Sequence, residues 1–255
     1  ITHWRDYVKA PNVKFSAEEW APFVAEAEKI DRDEYFVAPF VAPGIFEQCH
    51  YLLEIQNCLI QFYEEPDYMH ELIDYITDWE LAYAEEICKY LKPDALFHHD
   101  DWGSKQNVFL PPRVWREIIK PLQKEIADTI HSCGMIYMHH ADCICQPIVT
   151  DMVEIGVDIW QGAIAQNDIV EIQRVTEGKL AMVGGIDGPK VDIENITEEE
   201  IRAEVRRAID TYCPGGRFYP SIPNGICFRE WNNSIVMDEL HSYGRKYAQE
   251  HPVVK

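Results

Sequence analysis

The chain has no apolar run approaching the roughly 20 residues that a membrane-spanning helix needs, and no charged-then-apolar leader opens it. A membrane protein and an exported one are therefore not expected, and a cytoplasmic location is. Positive charge is scarce: 23 Lys and Arg stand against 44 Asp and Glu, a formal net charge of -21. Such a surface repels phosphate backbones, which excludes nucleic acid as an expected partner. A substrate with many carboxylates would need a compensating basic patch, and the sequence offers none. Disulfide-like spacing is absent as well. The eight cysteines are scattered, and reduced thiols are the simpler reading. No Gly-x-Gly-x-x-Gly follows any candidate strand, which removes the main support for a dinucleotide fold.

What is present is a series of short apolar runs alternating with longer amphipathic ones. The 255 residues, 47% of them hydrophobic, suffice for one large domain over 1–255, with 1–33 leading into the first strand. Candidate strands are Tyr35–Val41, Ala95–His99, Met135–His140, Val157–Trp160, Leu180–Val183 and Arg217–Pro220. Ser16-Ala-Glu-Glu and Thr197-Glu-Glu-Glu read as capping boxes that open helices. Pro112 to Ser132 carries apolar residues at helical spacing and stops at Gly134, and Gly156 and Gly178 mark similar helix ends. Six βα units in series predict an α/β fold with a parallel sheet covered by helices. An open doubly wound sheet and a closed TIM-type barrel compete, and the missing glycine fingerprint favours the barrel. Eight units close such a barrel, so two strands are expected to be missing from a chain that opens on Ile1.

In parallel βα barrels the chemistry sits at the C-terminal strand ends. Those ends carry Glu47 after the first strand, then His98-His99-Asp100-Asp101-Trp102, then His139-His140 with Asp142. Gln161, Asp187, Ser221 and Asn224 follow on the later strands. Alternation puts His99 and Asp101 on one face of their strand, and Ile136, Met138 and His140 together on a face of theirs. One histidine of each pair then faces the mouth and the other the helix layer, which makes His139 structural. A lone histidine at a strand end is usually structural, but two pairs with acids attached at matching ends point to a site. Zinc accepts nitrogen, sulfur or carboxylate oxygen, so His140, Asp142 and Cys143 are chemically eligible ligands. Cys145, just before Pro147, reads as packing at a helix start.

Four blocks carry a resemblance: "DDWGSKQNVFLPPRVWREIIKPLQKEI", "YMHHADCICQPIVTDMVEIGVDIWQ", "LAMVGGIDGP" and "PGGRFYPSIPNG". Together they resemble the uroporphyrinogen decarboxylase superfamily from about Tyr35 to Gly244. The resemblance implies a βα barrel whose first two strands would precede Tyr35. It also implies a choice between decarboxylases acting on a tetrapyrrole and corrinoid-dependent methyltransferases. Thiol-methylating members of the second branch hold zinc with His-x-Cys and a later cysteine. Here Asp142 stands where that first cysteine would be. Asn224 falls near the later position, with Cys227 close by. These departures resemble the O-demethylating members instead.

The expected function is then methyl transfer from a small methylated substrate, a methyl ether or methylamine, to a corrinoid (cobalamin) on a partner protein. Decarboxylation and a non-catalytic binding barrel are the alternatives. His140 with Asp142 would act as metal ligands or as an acid/base pair, His99 with Asp101 would orient the leaving group, and Glu47 would close the opposite wall. Trp102, Gln161, Asp187 and Asn224 are expected substrate contacts. Zinc is the expected metal, held by His140, Asp142 and Cys143, and a homodimer is an expected assembly.

Overall fold

The structure is a computed structural model that describes residues 1–252. Six parallel strands alternate with helices along the chain, as the α/β reading expects. The chain forms two compact units. The first comprises Ile1–Trp102, Val108–His140 and Glu154–Asp158; the second comprises Gly103–Asn107, Ala141–Val153 and the chain from Ile159 onward.

The first unit holds β1 (Phe40–Val41), β2 (Ala95–His99) and β3 (Ile136–His140), with helices α1 (Trp4–Tyr7), α2 (Ala17–Ala27), α3 (Ile45–Leu53), α4 (Ile55–Glu64), α5 (Pro66–Leu91) and α6 (Pro112–Ser132). Ser16 caps α2 in a full capping box with Glu19. Proline at the first position opens both α5 and α6, where its missing N–H costs nothing. Helix α6 has the predicted limits and runs out through Cys133 into Gly134, at φ +75°. Parallel pairing sets Phe40 beside Phe97, His98 beside His139 and His99 beside His140. Ile73, Ile87, Leu96, Ile119, Ile130 and Tyr137 are buried in the core of this unit.

The second unit holds β4 (Ile159–Ala163), β5 (Ala181–Gly185) and β6 (Phe218–Ser221). Helix α7 (Val149–Ile155) begins in it, and its other helices are α8 (Ile169–Val175), α9 (Gly188–Val191), α10 (Glu198–Tyr212), α11 (Glu230–Glu239) and α12 (Arg245–Glu250). The Thr197 capping box with Glu200 opens α10. Asp168 caps α8 by accepting from the Glu171 amide. Trp160, Met182, Ile172, Val205 and Ala208 fill the interior.

Strand limits depart from the sequence reading in two ways. The first strand shrinks from Tyr35–Val41 to Phe40–Val41, because Pro39 has no N–H to give to a ladder. The backbone before it is nonetheless bonded: Val37 O accepts from the Asp94 and Ala95 amides, and Pro39 O from the Phe97 amide. The last three strands start one or two residues later than expected and run on to Ala163, Gly185 and Ser221. Among the described residues no helix is long and apolar enough to cross a membrane.

Candidate functional site

The two faces of β2 and β3 divide the reactive residues by parity. Leu96, His98 and Asp100 are buried together with Tyr137 and His139, whereas Phe97, His99 and Asp101 stay partly exposed with Ile136, Met138 and His140. Successive strand residues point to opposite faces, so the sequence His-His-Asp-Asp delivers one His–Asp pair to each.

On the buried face, Glu80 of α5 meets His98: Oε2 lies 2.8 Å from Nε2. The Gln48 side-chain amide donates to Glu80 Oε1 at 2.8 Å. Tyr137 Oη donates to Gln123 Oε1 (2.8 Å) and lies 3.2 Å from His139 Nδ1. Gln123 Nε2 and Trp102 Nε1 both donate to Asp100 Oδ2, at 3.0 and 2.9 Å. The same carboxylate accepts the amides of Phe46 (3.2 Å) and Glu47 (2.9 Å) in the first turn of α3. A carboxylate there satisfies two amides that have no partner within the helix and faces the positive end of its dipole. The approach requires glycine at the cap, because a Cβ on Gly44 would lie 2.4 Å from Asp100 Cβ. Burial pushes the Asp100 carboxyl up to about 7, against the pull of His98 and of these donors. Burial also lowers His98, but the charge of Glu80, its hydrogen bond and the charge of Asp100 together outweigh it and leave this histidine above its ordinary value. His139, with no such partner, is driven down by burial and by the neighbouring histidines.

On the open face, His99 stands between two carboxylates. Its Nε2 is 3.6 Å from Glu47 Oε2 and 3.7 Å from Asp101 Oδ2. The His140 ring meets the His99 ring edge to face, with centroids 4.3 Å apart. Phe40 stacks on the far side of His99 at 5.8 Å. Burial alone would lower the His99 pKa; the hydrogen bond to Asp101 and the charges of Glu47 and Asp101 reverse this and raise it. Burial raises Glu47, opposed by His99 and reinforced by Asp101. Ligand atoms of His99, Asp101 and His140 lie within 4.8 Å of one another, a His/Asp triad suited to a metal ion. The cluster can do two things chemically: hold a proton at an imidazole between carboxylates, or gather nitrogen and oxygen donors on a cation.

Thus the structure brings His99, Asp101, His140 and Glu47 together within the first unit. The triad shares His140 with the metal set expected from the sequence, which named Asp142 and Cys143 beside it. Asp142 and Cys143 lie in the second unit. Lys105 holds Asp142 at both its carboxylate (2.8 Å) and its main-chain oxygen (2.5 Å). Cys143 is buried with its sulfur 3.5 Å from that of Cys145, where both fill space before the short turn Gln146–Ile148. Trp102 is 2% exposed and stacks on His139 at 4.0 Å, inside the buried network. In the second unit Gln161 donates to Pro223 O (2.7 Å), Asp187 precedes α9, and Asn224 is exposed after β6. Asp100 and Glu80 went unrecognised as organising residues. The alternation itself held a signal for Asp100, since it assigns that residue to the face opposite His99 and Asp101.

Comparison with known proteins bears on this geometry. The family model described as uroporphyrinogen decarboxylase (URO-D) matches residues 8–221. The chain belongs to the URO-D family. Both strand-end histidine pairs fall within the matched URO-D segment. Among solved structures, a methyltransferase from Methanosarcina mazei shares the fold with a TM-score of 0.66 at 17% sequence identity. That superposition covers 88% of this chain and 65% of the other, so this URO-D chain spans somewhat less than two thirds of that methyltransferase. No curated protein sequence matches significantly.

Proposed function

We propose that the protein moves a methyl group from a small methylated substrate, a methyl ether or a methylamine, to a corrinoid on a partner protein. The observation that carries this reading is the cluster of Glu47, His99, Asp101 and His140 at the C-terminal ends of two parallel strands. Membership in the URO-D family and the fold shared with a methyltransferase support it. We read the six strands as belonging to a TIM-type βα barrel whose mouth this cluster faces. The corrinoid supplies a nucleophilic cobalt when its carrier docks. An ether oxygen or an amine is a poor leaving group and must be protonated or coordinated as the methyl departs. His99 would hold that proton at Nε2, since Glu47 and Asp101 favour its charged form. Asp101 would fix the ring's orientation, and His140, edge-on to His99, would form the adjoining wall. Asp142 is assigned to holding Lys105 instead of to the reacting groups.

The protein, mixed with a reduced corrinoid protein and a panel of methoxy-aromatics and methylamines, is expected to yield the visible spectrum of methylated corrinoid with at least one of them. Asp101→Ala and His140→Ala are expected to lower the rate at least about 100-fold. Absence of the signal across the panel would remove the reading. Family membership favours a second reading, decarboxylation of a carboxylated substrate. Carbon dioxide release from a tetrapyrrole acid without any corrinoid present would select it.

A further inference from the structure

We propose that Cys88 and Cys133 are a redox-active pair that closes into a disulfide when a small-molecule disulfide, such as glutathione disulfide, serves as the oxidant. All eight cysteines are free. Cys49, Cys58, Cys143, Cys145 and Cys227 are buried, and only Cys88, Cys133 and Cys213 are partly open to solvent. Two of those three lie side by side. Cys88 Sγ stands 4.0 Å from the main-chain oxygen of Cys133, 45 positions along the chain, and the two thiols are in hydrogen-bonding contact. The other close pair, Cys143 and Cys145, has its sulfurs 3.5 Å apart but is 1% and 0% exposed, so a reagent of that size does not reach it.

The pair forms where two helices of the first unit end. Cys88 lies in the last turn of α5, and Cys133 is the C-cap of α6, its amide bonded to Thr129 O and Ile130 O. A disulfide needs β-carbons about 3.5–4.5 Å apart and α-carbons within about 7 Å. A sulfur that already lies at the main chain of its partner is within that reach, and closing the bond takes rotation about the two χ1 angles. The cap residue is held by its helix on one side only, so it can follow. Just beyond it, a Cβ added to Gly134 would meet nothing within 4 Å, so the surface beside Cys133 is open to a reagent.

The bond forms in two displacements. One protein thiol loses its proton and attacks glutathione disulfide, giving a mixed disulfide and one glutathione thiolate; the other, deprotonated in turn, displaces the second. The two protein thiols give up two electrons and two protons, and both appear on the two glutathione thiols that leave. Burial, the contact with Cys133 and the charge of Glu85 push the Cys88 thiol up to about 11. The negative ends of the two helices disfavour a thiolate further. Attack is therefore slow, but a sulfur of high pKa also leaves poorly, so the bond once made is slow to reverse. Such a pair is a staple and not a fast peroxide sensor. It ties α5, which carries Glu80, to α6, which carries Gln123, ahead of β2 and β3 and so at the ends opposite His99 and His140.

The test incubates the whole folded chain with glutathione disulfide at about pH 8.5, where more thiolate is present, and then blocks the remaining thiols with iodoacetamide. Peptide mass spectrometry is expected to find Cys88 joined to Cys133 and the other cysteines alkylated. Cys88→Ser should lose the link and carry a single glutathione on Cys133 instead, whereas Cys213→Ser should keep the link. The linked chain is expected to melt about 5–10 °C above the reduced one. A folded chain that forms no such link, a link through another cysteine in its place, a link that appears only after unfolding in urea, or an unchanged melting temperature in the linked form each overturns the proposal. Should Cys88→Ser fail to fold, peptide mapping of the unaltered chain still decides. These readouts need neither corrinoid nor methyl donor, so they stand or fall separately from methyl transfer.

Discussion

His98 and Asp100 lie on one face of β2 and its exit, His99 and Asp101 on the other, and the same two residue types meet opposite fates. On the buried face each finds close, numerous partners: His98 has Glu80 at 2.8 Å, and Asp100 accepts from two helix amides, an indole and a side-chain amide. On the open face His99 is flanked by two carboxylates, its Nε2 3.6 Å from Glu47 Oε2 and 3.7 Å from Asp101 Oδ2. The difference teaches that the same residue types are enclosed in a structural network on one face and stand partly open to solvent on the other. The buried pair fixes helix α3, and α3 in turn delivers Glu47 to the open pair.

Unequal alanine substitutions should expose this division most strongly. Asp100→Ala strands four donors in the interior and is expected to cost about 3–5 kcal/mol, read from urea unfolding. Asp101→Ala, on the partly exposed face, should cost less than about 1 kcal/mol while removing activity. Equal losses would dissolve the distinction. Gly44→Ala comes next: its methyl group would press on Asp100 Cβ, and overpacking of this kind costs about 1–3 kcal/mol.

The smallest effect is a slope, and it sharpens the comparison with a buried carboxylate of the second unit. Glu204 is 1% exposed, as fully enclosed as Asp100, but it pairs with Arg207 (2.6 Å) and Lys190 (2.8 Å). Burial raises its pKa, and the hydrogen bonds from Arg207 and Lys190 more than reverse this, so it is lowered below its ordinary 4.5. A carboxyl depressed on folding contributes stability that is present above about pH 4.5 and lost as pH falls through the folded value. Glu204→Gln should therefore flatten the acid limb of stability against pH. An unchanged limb would mean that the cations do not discriminate these two carboxylates.

Much of the fold was legible because periodicity is a strong signal: six strand positions, two capping boxes and the limits of α6 follow from pattern and end chemistry. Strand limits were less so, since a proline such as Pro39 stops a ladder without ending the extended chain. At the site, strand-end logic pointed to Glu47, His99, Asp101 and His140, which the fold brings close together. Asp142 and Cys143, near His140 in sequence, lie outside the triad of His99, Asp101 and His140. Lys105, 37 residues before Asp142, pairs with that carboxylate, and the Cys143 sulfur lies 3.5 Å from that of Cys145. Asp100 was hidden because its chief partners are main-chain amides, which no residue-type pattern reports.

The pairing of His98 with His139 and of His99 with His140 has one more consequence, for folding. A one-residue slip of a strand normally exposes apolar side chains and buries polar ones, so hydrophobic patterning rejects it. Here a slip at the strand tips would set one histidine in the place of another, and patterning would register little error. Discrimination falls instead to the buried polar contacts, among them Glu80 with His98 and Tyr137 with Gln123 and His139. At this corner of the protein, alignment of the strands is proofread by buried hydrogen bonds rather than by apolar pattern.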